Sequence, residues 1–143
     1  MKSKSGTYAL VLLSDASTRT RIGRWGWLDV RPGYYIYVGS ALGPGGVLAR
    51  VSRHCREHKT KHWHIDYLRP YVSFIDAFPI RASERLECQL AQSLSNLSSW
   101  ALPGFGSSDC GCSSHLFGWH ENPLETERFF QLLLWLRMER LEE

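Results

Sequence analysis

Blocks of apolar, β-forming residues separated by short polar connections occupy the first 40 positions, and this pattern predicts β-strands. The segments 8–13 and 34–38 are apolar, and 22–30 is rich in β-forming residues. Arg31-Pro32-Gly33 has the composition of a tight turn, because proline sets φ and glycine tolerates positive φ. We therefore expect a three-stranded meander in the first part of the chain.

Helical periodicity takes over after residue 46. Apolar positions at helical spacing predict a helix over 47–57 and a longer helix whose stripe runs from Leu86 to Leu97. A short helix is expected over 63–68 and a further strand over 71–78. The chain is thus predicted to be α+β, a single domain over 1–143 with a central antiparallel sheet of three or more strands flanked by helices.

A last helix is predicted over about 123–141. Asn122 is placed to act as its N-cap and Pro123 as its first residue, with Glu125 at the capping-box spacing. Its segment 129–136 is apolar on more than one face. Either the helix is sandwiched in the core, or its outer side meets a partner, such as a second copy of the chain.

Composition narrows the class of protein. With 143 residues, 43% hydrophobic and 22% charged, the chain resembles an ordinary globular domain and not a disordered one. No stretch approaches the roughly 20 apolar residues of a membrane span, so no membrane partner is expected. The four cysteines form a poor disulfide framework, since two of them are in a Cys-x-Cys. We interpret them as reduced and the protein as cytoplasmic.

The net charge of +3 is unevenly distributed along the chain. The stretch 50–64 carries five Lys or Arg residues against one Glu, whereas 121–143 carries six Glu against three Arg. A basic segment on a nearly neutral protein suits a localised contact with a polyanion. The residues predicted to contact nucleic-acid phosphates are Arg53, Arg56, Lys59 and Lys61.

Several short motifs carry candidate chemistry. They are Gly6-Thr7-Tyr8, Tyr37-Val38-Gly39, Arg50 with His54 one helical turn later, and Glu87 on the following long helix. In this order they resemble the GIY-YIG nuclease superfamily. A closer resemblance is to the domain-of-unknown-function family 123, and it covers residues 6 to about 117. The segments that carry it are GYYIYVGSA (33–41), RVSRH (50–54), WHIDYL (63–68), ECQLA (87–91) and FGSSDCGCSSHLF (105–117).

This resemblance implies a divalent-metal-dependent endonuclease that hydrolyses phosphodiester bonds, with DNA favoured over RNA and a role in DNA repair or processing. Tyr8, with Tyr37 beside it, would activate the attacking water, and Arg50 would neutralise the scissile phosphate. Glu87 would hold a single Mg²⁺ or Mn²⁺, since hard ions favour carboxylate oxygens. His54 and His64 are accessory proton donors or acceptors.

Two features depart from the superfamily pattern. Between Tyr8 and Tyr37 lie 28 residues, which is longer than the usual hairpin link. The loop with Cys110, Cys112 and His115 is also additional. It could bind Zn²⁺, with Cys88 nearby, although Cys-x-Cys is tighter than the usual zinc spacing. The alternatives are a cysteine nucleophile at Cys110 or a purely structural cover over the sheet.

Two other functions stay open at this stage. One is a non-catalytic nucleic-acid-binding module on the same scaffold, which would bind in a salt-dependent manner without a metal requirement. The other is a protein-interaction domain that uses the apolar C-terminal helix.

Overall fold

The computed structural model describes residues 5–41, 46–55, 63–82, 86–106 and 114–138. Its strands are β1 (Gly6–Ser14), β2 (Thr18–Ile22), β3 (Gly26–Val30), β4 (Gly33–Ala41), β5 (Ser73–Arg81), β6 (Trp100–Ala101) and β7 (Leu116–Trp119). Its helices are α1 (Gly46–Cys55), α2 (His64–Leu68), α3 (Glu87–Leu97) and α4 (Glu127–Met138). Short 3-10 turns cover Arg69–Tyr71 and Pro123–Glu125.

A five-stranded antiparallel sheet in the order β5-β1-β4-β7-β6 forms the centre of the molecule. The two long strands β1 and β4 lie side by side, with Tyr8 opposite Gly39 and Leu10 opposite Tyr37. Both strands are buried along most of their length, which explains their nearly continuous apolar sequences. The predicted α+β class with an antiparallel sheet flanked by helices is confirmed.

The predicted meander is wrong in one respect, because 22–30 is not one strand. β2 ends at Ile22, a turn follows, and β3 begins at Gly26. Gly23 and Gly26 have φ values of 49° and 121°, which favour glycine and reverse the chain. β2 and β3 therefore pair with each other as a separate two-stranded hairpin, and β1 pairs directly with β4.

The sheet separates two hydrophobic clusters. Because side chains alternate along a strand, β1 sends Tyr8, Leu10 and Leu12 to one face and Ala9 and Val11 to the other. The first face is covered by α1, α2 and the β2–β3 hairpin, and we call it the tyrosine face. The second face is covered by α3 and α4, and we call it the apolar face.

The C-terminal helix begins later than predicted. The Asn122 side chain accepts a hydrogen bond from the Leu124 backbone N–H at 3.0 Å, but it caps only the 3-10 turn, and α4 starts at Glu127. One side of α4 is buried in the apolar face through Phe129, Leu133 and Leu136. Its outer side exposes large apolar side chains, namely Phe130, Leu134, Trp135 and Met138. Among the described residues, no helix is long and apolar enough to cross a membrane.

Candidate active site

Tyr8 and Tyr37 lie on neighbouring strands with their rings on the tyrosine face. Their ring centroids are 6.4 Å apart, and both side chains are buried. Gly39 lies opposite Tyr8, and a Cβ at position 39 would overlap the Tyr8 ring. The glycine of the second motif is therefore required because it leaves the space in which Tyr8 lies.

Helix α1 brings His54 onto these two rings. The Tyr8 hydroxyl and His54 Nε2 are 2.7 Å apart and form a buried hydrogen bond. The imidazole centroid is 5.4 Å from that of Tyr8 and 5.9 Å from that of Tyr37. The three side chains thus form one packed cluster, in which a proton can pass directly between Tyr8 and His54.

Arg50 lies one turn before His54 on the same helix. Its Nη1 donates a hydrogen bond to the Ser40 carbonyl at 3.3 Å, and its guanidinium stacks over the Trp63 ring at 4.4 Å. The side chain is half-buried, and its interaction with Tyr8 opposes the rise of the Tyr8 pKa. A permanent positive charge is consequently held next to the Tyr8–His54 pair.

The environment keeps both tyrosines protonated. Burial is the main cause that raises the pKa of Tyr8 well above its ordinary value; Tyr37 adds to the rise, and Arg50 opposes it. Burial likewise raises the pKa of Tyr37, with the carboxylates of Asp66 and Glu87 contributing. At neutral pH each tyrosine is therefore a neutral hydroxyl that can donate a hydrogen bond.

Arg53 and Asp66 form a bidentate pair beside this cluster. Arg53 Nη1 and Nη2 donate to Asp66 Oδ1 and Oδ2 at 3.0 and 3.1 Å, and the Trp63 backbone N–H donates to Oδ2 at 3.0 Å. The Asp66 side chain is fully buried, and the Arg53 side chain is 16% exposed. Arg53 was predicted to contact phosphate; the structure shows that it already joins α1 to α2.

Arg69 donates hydrogen bonds to the C-terminal end of α1. Its Nε donates to the His54 carbonyl at 2.9 Å, and its Nη1 donates to the Val72 carbonyl at 2.9 Å. The last carbonyls of a helix lack partners within the helix, so a buried guanidinium satisfies them. Arg69 thus positions the turn of α1 that carries His54.

His64 begins α2 at the edge of the cluster. Its Nδ1 accepts a hydrogen bond from the Gly106 N–H at 2.9 Å, and its ring lies 5.5 Å from that of Phe105. Phe105 in turn packs against Tyr37 at 6.4 Å between ring centroids. His64 is therefore held next to the cluster by the segment that follows β6, and its predicted role in proton transfer stays a prediction.

Glu87 is the first residue of α3, the helix that packs on the apolar face of the sheet. It is half-buried, and its charge raises the pKa of Tyr37 and also acts on His115. The net pKa of His115 is lowered because burial outweighs the influence of Glu87. His115, which was predicted as part of a separate loop site, thus lies within range of the Glu87 charge.

The cysteines differ from the prediction. Cys88 is disulfide-bonded, so the expectation of four reduced cysteines is wrong. Cys55 is free, and the other half of the Cys88 disulfide lies outside the described residues. A disulfide sulfur is not a thiolate, so Cys88 cannot complete a zinc site with His115 while the bond is intact. The spacing could not reveal this bond, because pairing depends on which segments meet in the fold.

Several predicted residues lie outside the described part of the chain. They are Arg56, Lys59 and Lys61 of the basic stretch and Cys110 and Cys112 of the cysteine-rich loop. The described residues contain no group of three or more His, Cys, Asp or Glu side chains that could hold a metal.

Three residues that shape the site were not predicted to do so. The Trp63 ring is one of them, because both Arg50 and Arg53 stack on it, at 4.4 and 4.3 Å. Asp66 was not assigned as the partner of Arg53, and Arg69 was overlooked. The available signal was the placement of charged residues within the otherwise apolar segment from Trp63 to Val72.

The fold and the cluster together define an α+β domain with a buried Tyr–His pair, a neighbouring arginine and a carboxylate at the edge. The family model of the domain of unknown function DUF123 matches residues 7–135, which is most of the chain. The chain therefore belongs to this family. No curated protein and no solved structure matched it significantly.

Proposed function

We propose that this protein is a divalent-metal-dependent nuclease and that its family is a branch of the GIY-YIG superfamily. The observation that carries the proposal is the buried hydrogen bond of 2.7 Å between the Tyr8 hydroxyl and His54 Nε2, with the Arg50 guanidinium beside it. A hydroxyl coupled to an imidazole can act on a water, and an adjacent guanidinium can bind a phosphate.

The first chemical step is activation of water by the Tyr8–His54 pair. The water loses a proton to the Tyr8 oxygen while the Tyr8 hydroxyl passes its own proton to His54 Nε2. This relay suits a tyrosine whose pKa is raised, because a lone phenol of that kind is too weakly acidic to ionise at neutral pH. The hydroxide then attacks phosphorus, and the bond to the leaving oxygen breaks.

Arg50 and Glu87 stabilise the negative charge that develops on the phosphate during the reaction. The Arg50 fork donates to the non-bridging oxygens of the phosphate, where negative charge increases in the transition state. The Glu87 carboxylate, half-buried and with its charge acting on Tyr37, would hold a Mg²⁺ or Mn²⁺ ion. Such an ion would stabilise the leaving oxygen.

The test is cleavage of labelled single-stranded, nicked, flapped and branched DNA and RNA with Mg²⁺, Mn²⁺ or chelator. We expect metal-dependent products whose rate falls about a hundredfold or more in Tyr8→Phe and in Glu87→Gln. The matched control is Glu125→Gln, which changes an exposed carboxylate on the 3-10 turn and should cleave like the native protein. Equal rates in all four proteins would contradict the proposed roles.

The same nucleic acids, tested for binding as well as cleavage, distinguish the nuclease from a non-catalytic binding module. A module that lacks catalysis would bind one of these nucleic acids with a salt-dependent affinity, yield no product with either metal, and bind equally well in Glu87→Gln. That result would contradict the nuclease proposal but would support nucleic acid as the partner.

A second candidate function is protein interaction through the outer side of α4, with a second copy of the chain as the partner. Its support is the row of exposed side chains Phe130, Leu134 and Trp135, which are 43%, 57% and 49% exposed. Leu134→Glu should turn a dimer into a monomer in analytical ultracentrifugation, whereas a native protein that is already monomeric would exclude this candidate.

A further inference from the structure

The β2–β3 hairpin has an outer face that the catalytic proposal does not use. Its inward side chains belong to the core of the tyrosine face; they are Thr20, Ile22, Leu28 and Val30. Its outward positions carry Arg19 and Arg21 on β2 and Trp27 and Asp29 on β3. The solvent side of this hairpin therefore combines two cations and one large aromatic ring.

Trp27 is the prominent side chain of this surface. It is 57% exposed, which is unusual for a residue with so much apolar area. The Arg19 guanidinium lies over its ring at 4.9 Å, so the indole contacts a cation while more than half of the residue stays exposed. Packing against the described residues does not account for a tryptophan at this position.

The charge of the surface is positive. Arg24 extends it into the turn as an exposed residue beside Arg21. Arg19 also pairs with Asp29 at 3.5 Å, but the two side chains are 65% and 88% exposed, and such pairs are weak and screened by salt. The arginines thus remain able to bind phosphate oxygens.

The hairpin is anchored directly beside the candidate active site. Trp25, in the turn between the strands, packs edge-on against Phe105 with ring centroids 5.8 Å apart. Phe105 also contacts Tyr37 and His64, at 6.4 and 5.5 Å between ring centroids. The turn of the hairpin is therefore held next to Tyr37 through the Phe105 ring.

We propose that the outer face of the hairpin binds single-stranded nucleic acid, with a base stacked on Trp27 and adjoining phosphates on Arg19, Arg21 and Arg24. This inference rests on the proposed function in taking nucleic acid as the ligand of the neighbouring site. A single strand is the specific partner because its unpaired bases expose the ring faces that stack on tryptophan, whereas a duplex keeps them covered. The arginines supply the charge that a polyanion requires.

The test measures binding separately from cleavage. Fluorescence anisotropy in chelator, with a labelled strand of about 15 nucleotides and the matching duplex, compares the native chain with Trp27→Ala, Trp27→Phe and Trp27→Leu. We expect Trp27→Ala and Trp27→Leu to weaken single-strand binding by roughly five- to a hundredfold, and Trp27→Phe to retain most of the affinity. Duplex binding should change much less.

The matched control is Arg128→Ala, which removes an exposed arginine away from the hairpin sequence and should bind like the native chain. Arg21→Ala should instead lower the slope of log affinity against log salt by about one. Circular dichroism and urea unfolding of each variant establish that the fold is retained.

The outcomes distinguish the two proposals. A single-strand affinity of Trp27→Ala equal to that of the native chain would overturn the hairpin inference while leaving the nuclease proposal intact. An equal loss on single strand and duplex would also overturn it, because stacking on an unpaired base would not be the cause. If the native chain binds no strand at all, the hairpin inference fails, and the cleavage assay alone decides the proposed function.

Discussion

The two faces of the central sheet are built by the same strands but are filled with different chemistry. The apolar face holds aliphatic and aromatic side chains, with Phe129 packed against Phe78 and Trp119 at 5.3 and 6.4 Å between ring centroids. The tyrosine face buries charged and polar groups, among them His54, Asp66 and Arg69. A packed apolar face tolerates changes of shape that keep the volume, whereas each buried polar group depends on a particular partner.

We therefore expect the apolar face to supply most of the stability and the tyrosine face most of the chemistry, with Glu87 contributed by α3 of the apolar face. Phe129→Ala tests the contribution of the apolar face to stability. Its fully buried ring leaves a cavity, and we expect the free energy of unfolding to fall by about 3–5 kcal/mol. Urea unfolding measures this loss. Phe129→Leu, which retains much of the volume, should lose less; equal losses would show that packing volume is not what stabilises this face.

Arg53→Met tests how much stability is lost when a buried charged group loses its partner. It leaves the fully buried Asp66 carboxylate without its cation, and we expect a loss of about 3 kcal/mol, at the lower end for buried pairs because Arg53 is partly exposed. The double change Arg53→Met with Asp66→Asn removes the charge as well and should recover part of the stability in a double-mutant cycle. Additive losses would mean that the two side chains are not coupled.

Gly39→Ala tests the space reserved for Tyr8. The added Cβ would overlap the buried Tyr8 ring, and we expect a loss of about 1–3 kcal/mol together with reduced cleavage, since the ring is displaced from His54. Combining it with Tyr8→Leu, which removes the ring, should make the stability effects less than additive. Full additivity would show that the glycine serves another purpose.

The raised pKa of Tyr8 predicts a pH dependence of stability with a definite sign. The unfolded tyrosine loses its proton near pH 10, whereas the folded one retains it to higher pH. Above about pH 10 the native state thus binds more protons, so the free energy of unfolding falls, by up to about 1.4 kcal/mol per pH unit for this group. Urea unfolding at pH 9, 10 and 11 should show a shallower decline in Tyr8→Phe; an unchanged decline would contradict the assignment.

Much of the candidate site could be predicted from short motifs. Tyr8, Tyr37, Arg50 and His54 were expected together, and the structure brings them within contact of one another or of shared neighbours. The grouping followed from the resemblance of these motifs to a known family, and helical spacing by itself puts only Arg50 and His54 on one side of α1. The nuclease activity itself stays a prediction.

Other features depended on contacts between distant segments. The pairing of Arg53 with Asp66 spans 13 residues, and the hydrogen bond from Arg69 to the His54 carbonyl spans 15. Neither could be derived from periodicity, which describes one element at a time. The break between β2 and β3 was missed for a different reason, because the glycine φ values that reverse the chain depend on the pairing of the two strands.

The sequence by itself determined the α+β class, most of the elements and the faces on which their side chains lie, because periods of 2 and 3.6 residues follow from backbone geometry alone. Only the tertiary structure decided how those faces are used. It set Tyr8 against His54, joined Arg53 to Asp66, placed Cys88 in a disulfide and left Trp27 exposed on the outer face of the hairpin. These arrangements depend on the three-dimensional packing of segments far apart in the chain, which no local pattern encodes.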